Sequence, residues 1–209
     1  VDAGKTTIID LIRHGEPAGG ARFRGSTDDP LSEAGWRQMA GAVGDRRWEA
    51  IVSSPALRCA AFAEALAGRL GIPLEWEARF LEIAFGEWEG RTAQELLQTA
   101  PQALERFWRD PERHTPPGGE SLGAFAARVA AAWQELLDRH TGKHLLIITH
   151  AGVIRVVIGQ VLQMPLGSLF RLDVPFAAST RVRIDGSGAG ALPQLVFHGA
   201  AMNLEDPVK

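Results

Sequence analysis

The sequence predicts an α/β fold of three layers, α/β/α, with helices on both faces of a mostly parallel central sheet. Three observations carry that prediction. Short β-branched apolar runs alternate along the chain with longer stretches of helical periodicity. Those runs are apolar almost throughout, as strands buried on both faces must be. A length of 209 residues suits one such domain and can bury a sizeable core. No repeat, low-complexity tract or linker interrupts the pattern, so residues 1–209 read as a single domain.

Each element has a local reason. Thr7–Ile12, "TIIDLI", is a strand interrupted only by Asp10. The Gly4-Lys5-Thr6 before it looks like the tail of a phosphate-cradling loop, but such a loop follows a strand and opens a helix. Here a strand follows it, so no nucleotide loop is expected. Ser32 and Glu33 open a helix through Val43. Ala50–Ser54 is a second strand, and Pro55 suits the first turn of a helix to Leu70. Thr92 and Glu95 have capping-box spacing at the head of residues 92–110, which Pro101 divides into two short helices. Residues 121–140 carry Leu122, Phe125, Ala126, Val129, Trp133, Leu136 and Leu137 on one helical face, which places Phe125 and Trp133 in the core. His144–Thr149 is a third buried strand, followed by a helix, "GVIRVVIGQVL". Ser179–Ile184 and Gln194–Gly199 form a hairpin-like pair around the Gly-rich residues 185–190.

Composition limits the function. Hydrophobic residues make up 45% and charged residues 22% of the chain, with a formal net charge of −3, so no global attraction to nucleic acid exists and any anion must be held locally. No apolar run approaches the roughly 20 residues that span a bilayer, and the first residues lack a basic-then-apolar leader. The single cysteine forms no internal disulfide and fits a reducing compartment. A soluble cytoplasmic protein without membrane or nucleic-acid partners is the expectation. Cys59 is not a phosphatase nucleophile, because Ala65 stands where the paired Arg would be; it is read as a buried helical residue.

In such sheets ligands bind beyond the carboxyl ends of the strands, where strand order reverses. Arg13 and His14 follow the first strand, His150 follows the third, and Arg58 lies in the first turn after the second. Guanidiniums match phosphate oxygens and stay charged. A helix N-terminus near Arg58 adds backbone donors. A neutral imidazole among them is a nucleophile for phosphorus that needs no metal. The leaving oxygen requires a proton donor, and spacing alone leaves Glu16, Glu82, Glu87 and Glu89 open. The chain has no HExxH motif, and His140 and His144 are separated by a helix-breaking Thr-Gly, so neither metal nor cofactor is expected.

"LIRHGE", "SSPALRCAAFA", "LEIAFGEWEG", "GGES" and "ITHAGVIR" stand in the order found in the histidine phosphatase superfamily, the phosphoglycerate mutase-like proteins, and the resemblance covers nearly the whole chain. It implies that His14 accepts phosphate, that Arg13, Arg58 and His150 neutralise it, that Glu82 is the proton donor, and that Glu89 is a structural partner. It also implies a substrate-binding set of Arg13, Gly20, Arg24, Gly25, Ser26, Arg58, His150 and Ala151. Many relatives continue R-H-G-E-[ST]-x-x-N. Pro17 and Gly20 replace the Thr and Asn here, leaving backbone donors of the Gly19–Gly20 turn to stand in.

Within the family the chain is most similar to bacterial α-ribazole phosphatases. That likeness implies hydrolysis of α-ribazole 5′-phosphate, a riboside phosphate, in cobalamin lower-ligand assembly. The alternatives are a phosphoglycerate mutase, a broad sugar-phosphate phosphatase, or a non-catalytic phospho-ligand binder. Residues 84–118 are the expected substrate-selecting helical insertion, and Arg22 and Arg24 the rim groups. Phe107 and Trp108 are candidates for stacking a base, although their apolar context favours the core. A homodimer fits this architecture, but no stripe marks an interface.

Overall fold

The computed structural model describes residues 5–186 and 188–200. Gly4, residue 187 of the Gly-rich turn and residues 201–209 of the expected domain lie outside them. The strands are β1 (Thr6–Arg13), β2 (Ala50–Ser53), β3 (Leu74–Trp76), β4 (His144–Thr149), β5 (Ser179–Asp185) and β6 (Leu192–Ala200). The helices are α1 (Glu33–Val43), α2 (Leu57–Leu70), α3 (Ala93–Thr99), α4 (Pro101–Arg109), α5 (Leu122–Arg139) and α6 (Ala151–Val161).

The six strands lie in the order β3-β2-β4-β1-β5-β6. The first four run parallel, while β5 is antiparallel to β1 and β6 to β5. The sheet is therefore mixed, with a parallel centre and a hairpin at one edge.

Alternation within β1 sorts the core into two layers. Ile9 and Leu11 join the side chains of α5 and α6, including Phe125, Val129, Trp133 and Val157. Ile12 faces the other way, with Met39 of α1 and Cys59 and Phe62 of α2. Asp10 points to the α1–α2 side, where it is fully buried and bonded by Trp48 Nε1 (2.8 Å), His144 Nε2 (2.9 Å) and Arg181 Nε (2.7 Å). The polar interruption of the first strand is thus a neutralised carboxylate.

Two expectations on this framework need correction. Strand β3 has no counterpart in the sequence reading, because three residues with a central Glu75 carry too little pattern to announce an edge strand. Pro55 is not in the first turn of α2, which begins at Leu57 after an extended Ala56. Ser54-Pro55 instead carries the chain out of the sheet, with Ser54 N–H still bonded to Ile148 O at 3.0 Å. Pro101 does divide residues 92–110, and Thr92 and Glu95 form the expected capping box.

Candidate active site

The chain leaving β1 passes through α1 to β2 on one side of β4, whereas that leaving β4 passes through α6 to β5 beyond β1. The crevice between β1 and β4 is the switch point. Arg13 pairs with Thr149 across the two strands, so His14 and His150 emerge side by side, with ring centroids 5.2 Å apart. Arg13, His14, Glu82 and Ala151 line a cleft of about 210 Å³ over this crevice, together with Arg22, Phe23, Arg24, Phe85, Arg155, Asp173 and Phe176.

His14 is buried, and its Nδ1 meets Gly15 O at 2.8 Å. A donor there leaves Nε2 with the lone pair. Burial holds its pKa well below the ordinary imidazole value, and the charges of Arg13 and Arg58 push the same way. His150, fully buried, is lowered for the same reasons, burial first and Arg58 next. Its Nε2 meets Ser54 Oγ at 2.8 Å. A Ser54 hydroxyl donating to Nε2 puts the imidazole proton on Nδ1, which has no protein partner. Both imidazoles are neutral at pH 7.

The two guanidiniums are held from behind. Arg13 donates to Val174 O at 2.6 Å and stacks on Phe176, 4.1 Å from the ring centre. Burial brings its pKa down to about 10, with the Glu82 charge opposing, so it remains a cation at neutral pH. Arg58 is buried and donates to Thr27 O at 2.8 Å and Gly25 O at 3.3 Å. Buried atoms without a protein partner include Nε of Arg13, Nε of Arg58 and Nδ1 of His150. Three donors on three of the expected phosphate-holding residues are thus uncommitted, in a site where an unpaired polar group is costly.

Glu82 approaches from the segment after β3. Its Oε2 accepts from Gly152 N at 3.0 Å and its Oε1 from Ile83 N at 3.1 Å. Glu89 takes a different place. It accepts from Ser26 N (2.9 Å), Ser26 Oγ (2.8 Å), Thr27 N (2.7 Å), Thr27 Oγ1 (2.7 Å) and Phe85 N (3.1 Å). Burial works against its charge, but these donors prevail and hold it below the usual carboxylate range. It ties the loop carrying Gly25 and Thr27 to the segment carrying Glu82.

Several of the expected substrate contacts are committed elsewhere. Arg24 borders the cleft, yet its guanidinium bonds Asp29 Oδ2 (2.6 Å), Gly20 O (2.5 Å) and Ala18 O (2.8 Å), which closes the loop upon itself. The Gly20 N–H, at φ +73°, bonds Pro17 O at 3.2 Å instead of facing the crevice. Ser26 gives both its N–H and its hydroxyl to Glu89. Gly25 and Ser26 line a neighbouring cleft of about 490 Å³ rather than the histidine cleft. A side chain on Gly25 would collide with Ile83 O and Ala84 and meet Glu89 Oε1 at 2.7 Å, so the glycine permits loop closure. Nor does the α2 terminus offer its first donor, because Leu57 N–H bonds Asp28 Oδ1 at 2.7 Å. Phe107 is core, buried against Trp88 and Phe170, and Trp108 is 48% exposed on α4, outside the cleft. Of residues 84–118, Phe85 reaches the cleft wall.

Arg155, Asp173 and Phe176 were not anticipated. Arg155 had a signal, since it lies one helical turn after Ala151 and shares its face. Asp173 and Phe176 sit in an irregular segment before β5, where no periodicity reports position.

The switch point of a parallel-centred sheet thus sets two imidazoles side by side, with the buried Arg58 and the half-buried Arg13 near them, the placement that the family resemblance implies. The chain belongs to the histidine phosphatase superfamily, branch 1, which residues 9–193 match. It is 31% identical over 195 residues to the bifunctional protein Rv2228c of Mycobacterium tuberculosis, covering 90% of this chain and 53% of the relative. The chain therefore spans about half the length of the first curated relatives it matches. It is 32% identical over 168 residues to glucosyl-3-phosphoglycerate phosphatase of Mycolicibacterium vanbaalenii, covering 75% and 74% of the two chains. Among solved structures, Bacillus stearothermophilus YhfR superposes with a TM-score of 0.82 at 29% identity, covering 92% and 96%. A putative α-ribazole-5′-P phosphatase from Escherichia coli superposes at 0.81 with 22% identity, covering 95% and 99%, a likeness of fold alone. No helix of the described residues is long and apolar enough to cross a membrane.

Proposed function

We propose that this chain hydrolyses small phosphate monoesters through a phosphohistidine on His14. The single observation that carries the reading is the tautomer lock at His14. With Nδ1 tied to Gly15 O, the lone pair is left on Nε2, and the ring lines a cleft that it shares with Arg13, Glu82 and Ala151.

In the first step Nε2 forms a bond to phosphorus as the ester oxygen departs, and Glu82 gives that oxygen its proton. In the second, Glu82, now a carboxylate, takes a proton from water whose oxygen attacks phosphorus, and the P–N bond breaks to release phosphate. Arg13, Arg58 and His150 face the equatorial oxygens, where charge stabilisation supplies most of the acceleration.

For the leaving group we favour a carboxylated or sugar phosphate of the phosphoglycerate kind over the riboside. Arg155 supports this choice. Its Nε is held by Leu172 O at 2.9 Å, while its terminal nitrogens have no protein acceptor among the described residues. A guanidinium so disposed suits a carboxylate. α-Ribazole 5′-phosphate stands second, supported by Phe23, Phe85 and Phe176 on the cleft wall, which suit the flat face of a base. Residues 84–118 then select substrate chiefly through Phe85.

Two measurements test the proposal. Mass spectrometry after an alkaline quench should find one phosphoryl group on His14, and none in His14→Ala. Steady-state phosphate release in EDTA should give a kcat/KM for 3-phosphoglycerate or its glucosyl derivative above that for α-ribazole 5′-phosphate. A riboside preference of about a hundredfold, ~2.7 kcal/mol of differential transition-state binding, would reverse the choice of leaving group.

A further inference from the structure

The cluster that the mechanism leaves unused lies beneath Glu82. Arg128, on α5, has each of its five N–H groups placed. Nε and one terminal nitrogen fork onto Glu120, at 2.8 Å to each carboxylate oxygen. The other three N–H groups bond the main chain that carries Glu82, namely Arg79 O (2.7 Å), Leu81 O (2.8 Å) and Glu82 O (3.1 Å).

Three carbonyl contacts within residues 79–82, from a 3-10 turn to Glu82 itself, fix the path of this short segment as a strand ladder would. No other backbone bonds to these three carbonyls occur among the described residues outside regular elements. The same helical face supplies the floor. The Arg128 guanidinium lies 4.8 Å from the Phe125 ring centre, and a Cβ on Gly152 would meet that ring at 3.0 Å and collide with Glu82 Oε1. Gly152 in turn holds the Glu82 carboxyl through its N–H. Helix α5 therefore braces Glu82 at both ends, its main chain through Arg128 and its carboxyl through the Phe125–Gly152 contact.

We propose that Arg128, oriented by Glu120, is a positioning residue for proton transfer, setting the reach of the Glu82 carboxyl to the leaving oxygen. It does not touch the phosphate. The proposal rests on Glu82 being the proton donor, and the test separates the two.

The expected signature is selective. An aryl ester such as 4-nitrophenyl phosphate leaves as a stable anion and needs little protonation, whereas an alkyl ester such as glycerol 3-phosphate depends on it. Because kcat/KM reports the steps through phosphohistidine formation, the change in the alkyl-to-aryl ratio of kcat/KM from wild type to variant reads proton donation by Glu82. Glu82→Gln should lower that ratio by at least a hundredfold. Arg128→Met should lower it about ten- to fiftyfold, with aryl kcat/KM within threefold of wild type and inorganic phosphate inhibition unchanged. Arg128→Lys should not restore it, because a point ammonium cannot bond three carbonyls and a carboxylate fork together. Glu120→Gln, which leaves Arg128 in place but loosens its aim, should fall between and provides the readout should Arg128→Met fail to fold. Equal losses on both esters in Arg128→Met, or in Glu120→Gln where that serves, would overturn the positioning role while leaving Glu82 as donor. An unchanged ratio in Glu82→Gln would overturn the donor assignment and, with it, this proposal.

Discussion

Replacing Glu89 tests whether the phosphate site depends on a clasp that never touches substrate. The carboxylate accepts five hydrogen bonds from two segments far apart in sequence. Ser26 is exposed, and its N–H and hydroxyl can turn to water. The N–H groups of Thr27 and Phe85 are partly buried and have no other acceptor in reach. Each buried donor left unpaired costs about 1–3 kcal/mol, so Glu89→Ala should destabilise by ~3 kcal/mol. For a domain of this size that corresponds to a fall of about 6–12 °C in Tm. Glu89→Gln should be no milder, because an amide group turns donors toward donors. Activity should fall as well. Thr27 O and Gly25 O, which hold the Arg58 guanidinium, belong to the loop that Glu89 fixes, and their displacement should cost about tenfold or more in kcat/KM. Calorimetry and phosphate-release kinetics on the two variants give the answer. If Glu89→Gln keeps Tm within 2 °C and kcat/KM within about twofold of wild type, the clasp argument is wrong.

Other outcomes follow from the same geometry. Because burial and the two arginines hold His14 well below 6.5, kcat/KM corrected for substrate ionisation should show no acid limb at that value; a limb there would mean that the nucleophile is ordinarily basic. Asp10 should anchor the fold. Burial opposes its charge, but His144, Arg181 and Trp48 hold its pKa at about 2 against 3.8, so its contribution is full above 3.8 and is lost as pH falls toward 2. Asp10→Asn should cost about 2–3 kcal/mol in urea unfolding at pH 7, since it removes the carboxylate charge on which Trp48, His144 and Arg181 converge and turns an amide group toward their donors, and a loss under about 1 kcal/mol would count against that network. Trp108→Ala should leave KM unchanged for α-ribazole 5′-phosphate, given the exposure of that ring outside the cleft; a severalfold rise would return it to the site.

The fold was legible where burial on both faces imposes composition. β1 announces itself through an apolar run broken only by Asp10, β4 through the unbroken Leu145–Ile148, and α5 through its stripe from Leu122 to Leu136. Edge structure was not, since β3 packs too few residues to need a pattern. At the site, Arg13, His14, Arg58 and His150 were readable because strand ends fix their place whatever the loops do. The loop contacts expected of Gly20, Arg24 and Ser26 depended on how residues 17–29 close, which only the partners Pro17, Asp29 and Glu89 decide. Ser54, which orients His150, looked like the last residue of a strand because its hydroxyl partner is remote in sequence.

The strand order also has a consequence in time. His14 and His150 become neighbours only when β4 docks against β1, and more than half of the chain separates them. Such non-local pairing forms late, after the loop-closure entropy of the intervening helices has been overcome. A chain cut after α5 would hold Arg13, His14, Arg58 and Glu82 but no crevice. The phosphoryl chemistry proposed for this chain would therefore report completed sheet assembly, silent in any partly folded form that leaves the central pair of strands apart.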